Sequence, residues 1–460
     1  MRETVQLFAR EPRARWFFAA LGQSAIGTGA GYVALLLIAY DRWHSPWAIT
    51  LILLADLLPA MLLGPIFGAA ADRWSRKGCA VLADLLRCTA FLGIAFVDNT
   101  GLTFALAVLA GCGTGLFTPA ALASLPGLVR PERLPAATSV YGAIADLGFT
   151  VGPAVAAVVL LFGNAEQLTA VNGLTFGISA LVLARLAFGG APSSSETSRN
   201  SLLRDAREGL AATAGMPGIR ALLGVSAGAL FFAGMFNVAE LPFAEDILDS
   251  GEVGYSLLAT AFGVGFVAGS LTGAKGGAPH VLKTRYRLGL LVMATGFVAT
   301  GVAPAFAAAV GAFALGGIGN GVVIVCERQL IQATVPDRLA GRVFGIKDAL
   351  SAWAFGLAFI CAGALIALIG VRELLVAAGV GGLAAWLVSL RALGGAFDAE
   401  RPVVEGAASG ASADALGHGG AGEQRPDFVG SGSSHLGAGL DERAEGVDDG
   451  GIELRPGAGS

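Results

Sequence analysis

Long apolar runs separated by short charged breaks constrain this chain more than any other feature. A helix of roughly 20 residues crosses the ~30 Å hydrocarbon layer of a bilayer. In lipid the backbone polar groups must be satisfied within a helix or a closed barrel. Twelve runs have this length, so the sequence predicts an all-α integral membrane protein with twelve transmembrane helices. The predicted spans are 16–40, 48–71, 78–97, 102–125, 138–162, 168–188, 220–244, 254–274, 287–305, 307–330, 345–369 and 373–394.

The composition agrees with a membrane protein and argues against a soluble enzyme. The chain has 460 residues, of which 55% are hydrophobic and only 14% are charged, whereas soluble domains are about 25% charged. The phosphate-binding pattern Gly-x4-Gly-Lys-Ser/Thr is absent, and the four histidines lack metal-ligand spacing. The five cysteines fall in or beside apolar runs, which argues against a disulfide framework. We therefore expect no enzyme activity, no cofactor, no metal and no nucleic-acid partner.

The loop charges are lopsided, and this predicts an orientation. Loops on one side hold almost all the basic residues, while those on the other side offer only Arg42 and Arg372. Cytoplasmic loops carry the excess of Lys and Arg. We therefore expect both termini in the cytoplasm and a location in a bacterial inner membrane. The basic residues on the predicted cytoplasmic side are Arg2, Arg10, Arg13, Arg15, Arg73, Arg76, Lys77, Arg130, Arg133, Arg199, Arg204, Arg207, Lys275, Lys283, Arg285, Arg287, Arg338 and Arg342.

The chain reads as two similar halves joined by a polar linker. Three features recur at one constant spacing: Gly68 with Gly273, Gly111 with Gly316, and the Pro-Glu-Arg-Leu string at Pro131 with Pro-Asp-Arg-Leu at Pro336. Repeats of this kind place a substrate path at the interface of the halves. The predicted divisions are a cytoplasmic N-terminus (1–15), a six-helix bundle (16–188), a linker with an amphipathic helix (189–219), a second six-helix bundle (220–394) and a disordered cytoplasmic tail (395–460).

The loop between spans 2 and 3 concentrates opposite charges. Asp72 ends an apolar run that contains Gly68, and Arg73, Arg76 and Lys77 follow it. Such a loop can act as a latch, since the carboxylate accepts hydrogen bonds while the cations face the anionic inner leaflet. The alternative is a basic loop that only sets topology.

Span 5 contains small residues at a spacing of four, Gly148 and Gly152, followed by Pro153. Small residues at this spacing let a second helix approach closely, and proline removes one backbone hydrogen bond. This predicts a tightly packed, pliable helix, although the same pattern occurs in many membrane helices.

The loop motif and span 5 resemble those of the major facilitator superfamily, and span 5 is similar to the antiporter motif of its drug exporters. The strings Phe117-Thr-Pro-Ala and Gln332-x-x-Val-Pro-Asp-Arg-Leu-x-Gly-Arg resemble the branch with macrolide-efflux and siderophore-export proteins. The resemblance implies a gating role for the loop. The chain departs from the pattern at Ser75, where glycine is usual, and at Thr28 and Ala121, where relatives often have aspartate and arginine.

Ionisable residues inside predicted spans are costly and are therefore candidates for proton coupling or substrate contact. Asp84 and Arg87 lie three residues apart on one helix face, and a self-contained ion pair is the simpler interpretation. Asp56 is a coupling candidate or an interior hydrogen-bonding group. The intramembrane candidates are Asp56, Asp84, Arg87, Glu240, Glu327 and Arg328. Because spans 1, 4, 7 and 10 line the cavity in this superfamily, the resemblance adds Gln23, Asn237 and Asn320 as cavity candidates.

These patterns favour a secondary transporter that exports a small amphipathic compound, such as a drug, antibiotic or siderophore, using the proton gradient. We expect a monomer whose partners are its small-molecule substrate and the lipid bilayer. A facilitator or importer of a metabolite is the alternative, and a non-transporting sensor or scaffold is a third reading.

Overall fold

The computed structural model describes residue 8, residues 10–186 and residues 199–398, and within them the chain forms thirteen α-helices. The helices are α1 Pro12–Trp43, α2 Pro46–Arg73, α3 Arg76–Phe96, α4 Thr100–Leu128, α5 Leu134–Leu160, α6 Ala165–Arg185, α7 Arg199–Gly215, α8 Pro217–Pro242, α9 Gly251–Gly273, α10 Pro279–Gly301, α11 Phe306–Thr334, α12 Asp337–Ile369 and α13 Val371–Ala392. A short 3-10 turn, Pro131–Arg133, and a π-helical turn, Phe243–Ile247, complete the set.

The predicted all-α membrane class is confirmed, and every predicted span overlaps a helix, although the ninth, 287–305, extends beyond α10, which ends at Gly301. In the described part of the chain, eleven helices are long and apolar enough to cross a membrane. The remaining predicted span, α10, has 23 residues but carries Lys283, Arg285 and Arg287 in its first turns. These charges lower its average hydropathy without preventing the helix, because α10 packs between α11 and α13.

Short polar side chains fix where several helices begin. The side-chain oxygens of Ser45, Asn99 and Asn164 each accept a backbone N–H from the first turn of the next helix. Ser75 does the same for α3, accepting from the Gly78 N–H at 3.1 Å. Such N-caps satisfy amides that have no partner within the helix. The serine at the position usually held by glycine therefore has a structural purpose here.

Two bundles with the same internal packing make up the described chain. In the first, α1 packs on α5 and α6, α3 packs on α4 and α6, and α2 packs on α4. In the second, the equivalent pairs recur: α8 with α12 and α13, α10 with α11 and α13, and α9 with α11. This repeated arrangement accounts for the sequence repeat.

The bundles contact each other at one end. We call the end that carries the loop at Trp74 and the start of α1 the basic end, and the opposite end the distal end. Thr50 in the distal part of α2 donates a hydrogen bond of 3.1 Å to the Phe359 carbonyl of α12. Tyr40, near the distal end of α1, donates to Asp246 after α8. On α5 and α9, a methyl group at Gly263 would lie 3.1 Å from Thr150.

Towards the basic end the same helices separate. On α2, a methyl group at Gly64 or Gly68 would meet no atom within 4 Å. The same holds for Gly142 on α5 and for Gly341 and Gly345 on α12. On these helices the contacts between the bundles thus lie in the distal part, and we describe the seam as closed at the distal end and open at the basic end.

The linker helix and the residues that follow α13 both contact the second bundle. The linker helix α7 packs on α12, and Arg342 forms an ion pair of 2.8 Å with Glu208. The predicted tail begins at residue 395, but residues up to Asp398 belong to the described body. The ammonium group of Lys283 donates to the Ala396 carbonyl at 2.8 Å and to Asp398 at 2.5 Å. Residues 395–398 at the start of the predicted tail therefore contact α10, and the rest of that tail lies outside the described residues.

Candidate functional site

Asp56 on α2 faces the seam between the bundles. It lies four residues after Ile52 and seven after Ile49, so the three share one helix face. Ile49 and Ile52 are fully buried among neighbouring helices, whereas Asp56 is exposed. The exposure of Asp56 is therefore to the opening between the bundles and not to the lipid-facing side of α2.

Glu240 on α8 approaches the same region from the second bundle. One of its carboxylate oxygens accepts a hydrogen bond of 3.1 Å from the hydroxyl of Tyr255 on α9. Tyr32 on α1 interacts electrostatically with both Glu240 and Asp56. Two carboxylates and two phenols, drawn from both bundles, thus form what we call the seam cluster: Tyr32, Asp56, Glu240 and Tyr255.

The predicted pair on α3 exists and is buried. Arg87 forms a hydrogen-bonded ion pair with Asp84, and both are almost inaccessible to solvent. The rings of Phe117 on α4 and Phe176 on α6 each lie 4.3 Å from the guanidinium carbon. This arrangement confirms the expected ion pair and adds cation–π contacts that hold the guanidinium in one orientation.

A second charged group lines the seam closer to the basic end. Arg328 on α11 is exposed and interacts electrostatically with Asp146 on α5, across the two bundles. Asp146 lies one turn on the basic side of Thr150, where the bundles touch. The neighbouring Glu327 is 4% exposed and interacts with Lys347 of α12. Glu327 and Arg328 are adjacent, and their interactions with Lys347 and Asp146 reach different helices.

The glycines of span 5 provide a close helix contact. A methyl group at Gly148 would lie 2.5 Å from the Ala25 carbonyl oxygen, and one at Gly152 would lie 2.4 Å from Gly29. Pro153 is buried beside them. The predicted close approach is confirmed, and its partner is α1. The opposite side of α5 packs on α9, so this helix links the core of the first bundle to the seam.

The loop between α2 and α3 is described only in part. The side chains of Asp72 and Arg73 lie outside the described residues, so the proposed latch stays a prediction. Gly68 makes no close contact in this arrangement. Lys77 donates a hydrogen bond of 2.9 Å to the Leu186 carbonyl at the end of α6. A cation at a helix C-terminus is favourable, so Lys77 caps the end of α6, a helix of its own bundle. The preceding residue, Arg76, begins α3.

The three cavity candidates differ in their surroundings. The amide nitrogen of Gln23 donates to the Thr175 carbonyl of α6 at 2.8 Å, which ties α1 to α6. Asn237 is partly exposed one turn before Glu240 on α8, and Asn320 is partly exposed on α11. Their contact with substrate stays a prediction.

The aromatic residues of α8 also separate into two groups. Phe236 is 1% exposed and stacks on Phe297 with ring centroids 4.1 Å apart, so it packs inside the second bundle. Phe231 and Phe232 are partly exposed and pack edge to face.

Sequence reasoning missed the two phenols of the seam cluster. It searched apolar spans for carboxylates and bases, and it passed over tyrosine, which also carries a polar hydroxyl. Tyr32 follows Gly29-Ala-Gly31 in an otherwise apolar run, and Tyr255 opens span 8. A polar aromatic residue inside a span is the signal that could have found both.

Two pseudo-symmetric six-helix bundles with polar groups at their seam define a transporter fold of the repeat type. Comparison with known families agrees, since the sequence profile of the Major Facilitator Superfamily matches residues 16–346. The chain belongs to this superfamily, and it is a multi-pass membrane transporter and not an enzyme.

Individual relatives support the assignment at modest identity. The chain is 29% identical over 381 residues to the multidrug efflux pump Tap of Mycolicibacterium fortuitum, covering 77% of this chain and 89% of Tap. It is 25% identical to YfiS of Bacillus subtilis (strain 168), an uncharacterized MFS-type transporter, covering 76% and 90%. A crystal structure of a bacterial homologue of the human lysosomal transporter Spinster is 14% identical, with a TM-score of 0.64, and covers 83% of this chain and 97% of its own. That structural likeness concerns the fold alone.

Proposed function

We propose that this chain exports a small amphipathic compound from a bacterial cytoplasm by alternating access, using the proton gradient. The observation that carries the proposal is the seam cluster, because it joins acidic groups of both bundles at the point where they separate. Asp56 and Glu240 can each bind a proton or a cationic group, and Tyr32 interacts with both. A proton or cation bound at the cluster therefore interacts with groups of both bundles.

The orientation follows from the loop charges. The basic end carries nearly all the loop lysines and arginines, so it faces the cytoplasm by the positive-inside rule. The open seam then faces inward, and Asp56 is accessible to a compound entering from the cytoplasm or from the inner leaflet. Closing the basic end and opening the distal end would carry the same site to the outside. The membrane is the bacterial inner membrane, with the N-terminus on its cytoplasmic side.

The chemistry of the cluster favours a lipophilic cation or a compound with an amine. Carboxylates and phenol rings bind such groups by charge attraction and cation–π contact. A cation bound at the seam cluster favours the deprotonated form of the carboxylates there. The cluster therefore suits exchange of a cationic substrate for protons. The name of the Tap relative, a multidrug efflux pump, is in keeping with this substrate class.

Purified protein in liposomes with an imposed pH gradient tests the proposal. Counterflow of a lipophilic cation or a macrolide should depend on the gradient and should fall at least tenfold in Asp56→Asn. Asp98→Asn, which removes a carboxylate exposed at the distal end, is the matched control and should retain transport. Transport by Asp56→Asn at the wild-type rate, with the same pH dependence, would remove Asp56 from the mechanism.

A further inference from the structure

The buried pair Asp84–Arg87 is poorly satisfied for an ion pair that only supports packing. Besides the bond between them, Asp84 Oδ2 and Arg87 Nε have no hydrogen-bond partner within normal distance in the described part of the chain, although the Ser179 hydroxyl of α6 interacts with the Asp84 carboxylate. Removing two charges from water is expensive, and apolar residues of similar volume are often as stable or more so. An ion pair with unsatisfied atoms, deep in a helix bundle, therefore suggests a purpose other than stability.

Helix α4 places this pair next to Asp56. A methyl group at Gly111 of α4 would lie 2.4 Å from the Ala55 carbonyl and 3.0 Å from Asp56 Cα. Two residues later, a methyl group at Gly113 would lie 2.7 Å from Arg87 Cγ. Positions i and i+2 lie on different sides of a helix. Asp56 and Arg87 therefore lie on different sides of α4 at about the same depth along it. On each side α4 presents a glycine, so no side chain of α4 stands between it and the neighbouring residue.

Arg87 is the charged residue that acts on Asp56 from this side, and the two interact electrostatically. Among the helices packed on α2, α1 contributes Tyr32, and α8 contributes Glu240, which also interacts with Tyr32. Helix α4 has no charged residue along its length, and the residues of α12 seen to contact α2, Gly356, Phe359 and Gly363, carry no charge. Tyr141 of α5 faces Arg87 itself.

We propose that Asp84 and Arg87 are a positioning pair that sets the pH range over which Asp56 exchanges its proton. This inference rests on the proposed proton-coupled function. Arg87, held between two phenylalanine rings, supplies a fixed positive charge near Asp56, and Asp84 offsets most of it. Neither residue touches the substrate. The pair tunes the balance between the carboxylate and carboxylic acid forms of Asp56, and it does so from outside the seam.

The opposite charges of the pair allow a test with opposite predicted signs. In Asp84→Asn the charge of Arg87 is no longer offset, so the Asp56 carboxylate is favoured and the pH of half-maximal transport falls. In Arg87→Gln the favourable charge is lost, so that pH rises. Each shift should be roughly one pH unit, the size expected for a unit charge acting over roughly 10 Å at an effective dielectric constant near 20.

The measurement is the pH profile of substrate flux in liposomes, together with the apparent melting temperature of each variant in detergent. Arg87→Lys keeps the charge but loses the planar stacking, and it should retain the wild-type profile. Because an unpaired buried charge destabilises a single variant, Asp84→Asn combined with Arg87→Gln provides a variant without either charge. It should show a smaller rise than Arg87→Gln alone.

The outcomes separate this inference from the proposed function. If wild-type flux shows no dependence on the pH gradient, the proposed function fails and the inference fails with it. If wild-type flux is pH-dependent but the profiles of folded Asp84→Asn, Arg87→Gln and the double variant coincide with it, only the inference is overturned. A uniform loss of flux without a shift in the profile would likewise make the pair purely structural.

Discussion

The contact between α1 and α5 gives a sharp prediction about packing. A methyl group at Gly152 would lie 2.4 Å from Cα and C of Gly29, whereas ordinary contacts are 3.4–4 Å. The obstructing atoms are backbone and cannot rotate away, so Gly152→Ala requires α1 and α5 to separate by about 1 Å. Overpacking of this kind costs about 1–3 kcal/mol of stability. Because the neighbouring atoms are backbone, we expect a loss of about 3 kcal/mol.

The matched control is on the same helix. Gly142 also lies within α5, but a methyl group there would meet nothing within 4 Å. Since alanine is the better helix former, Gly142→Ala should be neutral or stabilising by about 0.5–1 kcal/mol. Apparent melting temperatures in one detergent should therefore fall by several degrees for Gly152→Ala and stay level or rise for Gly142→Ala. Equal melting temperatures for the two variants would refute the close contact.

Two further predictions follow from the second bundle. Phe236→Ala removes a ring stacked at 4.1 Å on Phe297. It should lower the free energy of unfolding by about 3 kcal/mol or more, mainly because of the cavity that remains. The same change at the partly exposed Phe231 should destabilise less in the same melting assay. The hydrogen bond from Lys283 lowers the pKa of Asp398, so the link is intact above the ordinary value of about 4 and weakens as the pH falls below it. Hydrogen-exchange protection of residues 394–398 should accordingly drop at about pH 3 in the wild type, whereas Asp398→Asn should show the low protection at pH 7 as well.

Much of the fold could be predicted because lipid imposes a simple rule on sequence. Spans must be long, apolar and helical, and charged loops mark their ends, so twelve helices and their order could be read directly. The helix α10 shows the limit of that rule, since its first turns carry three basic residues that are satisfied by neighbouring carbonyls and by Asp398. Hydropathy alone does not register such partners.

The site was harder to predict from the sequence than the fold, because it depends on which helix faces pack against each other. Asp56 and Glu240 were both identifiable as intramembrane acids, yet nothing in their sequence neighbourhoods shows that both act on Tyr32. Gly148 and Gly152 indicated a close helix contact, but the partner, α1, emerges only from three-dimensional packing.

The central claim is that the two bundles rock about the seam, so that the basic and distal ends open in turn. It is tested most directly by electron–electron distance measurements on spin labels placed at two pairs of positions in a variant without native cysteines. One pair, Ile66→Cys with Gly345→Cys, spans the open basic end, and the other, Asp98→Cys with Val302→Cys, spans the closed distal end. We predict that lowering the pH or adding a transported cation shortens the first distance while it lengthens the second. Two distances that stay fixed, or that change in the same direction, would contradict the account.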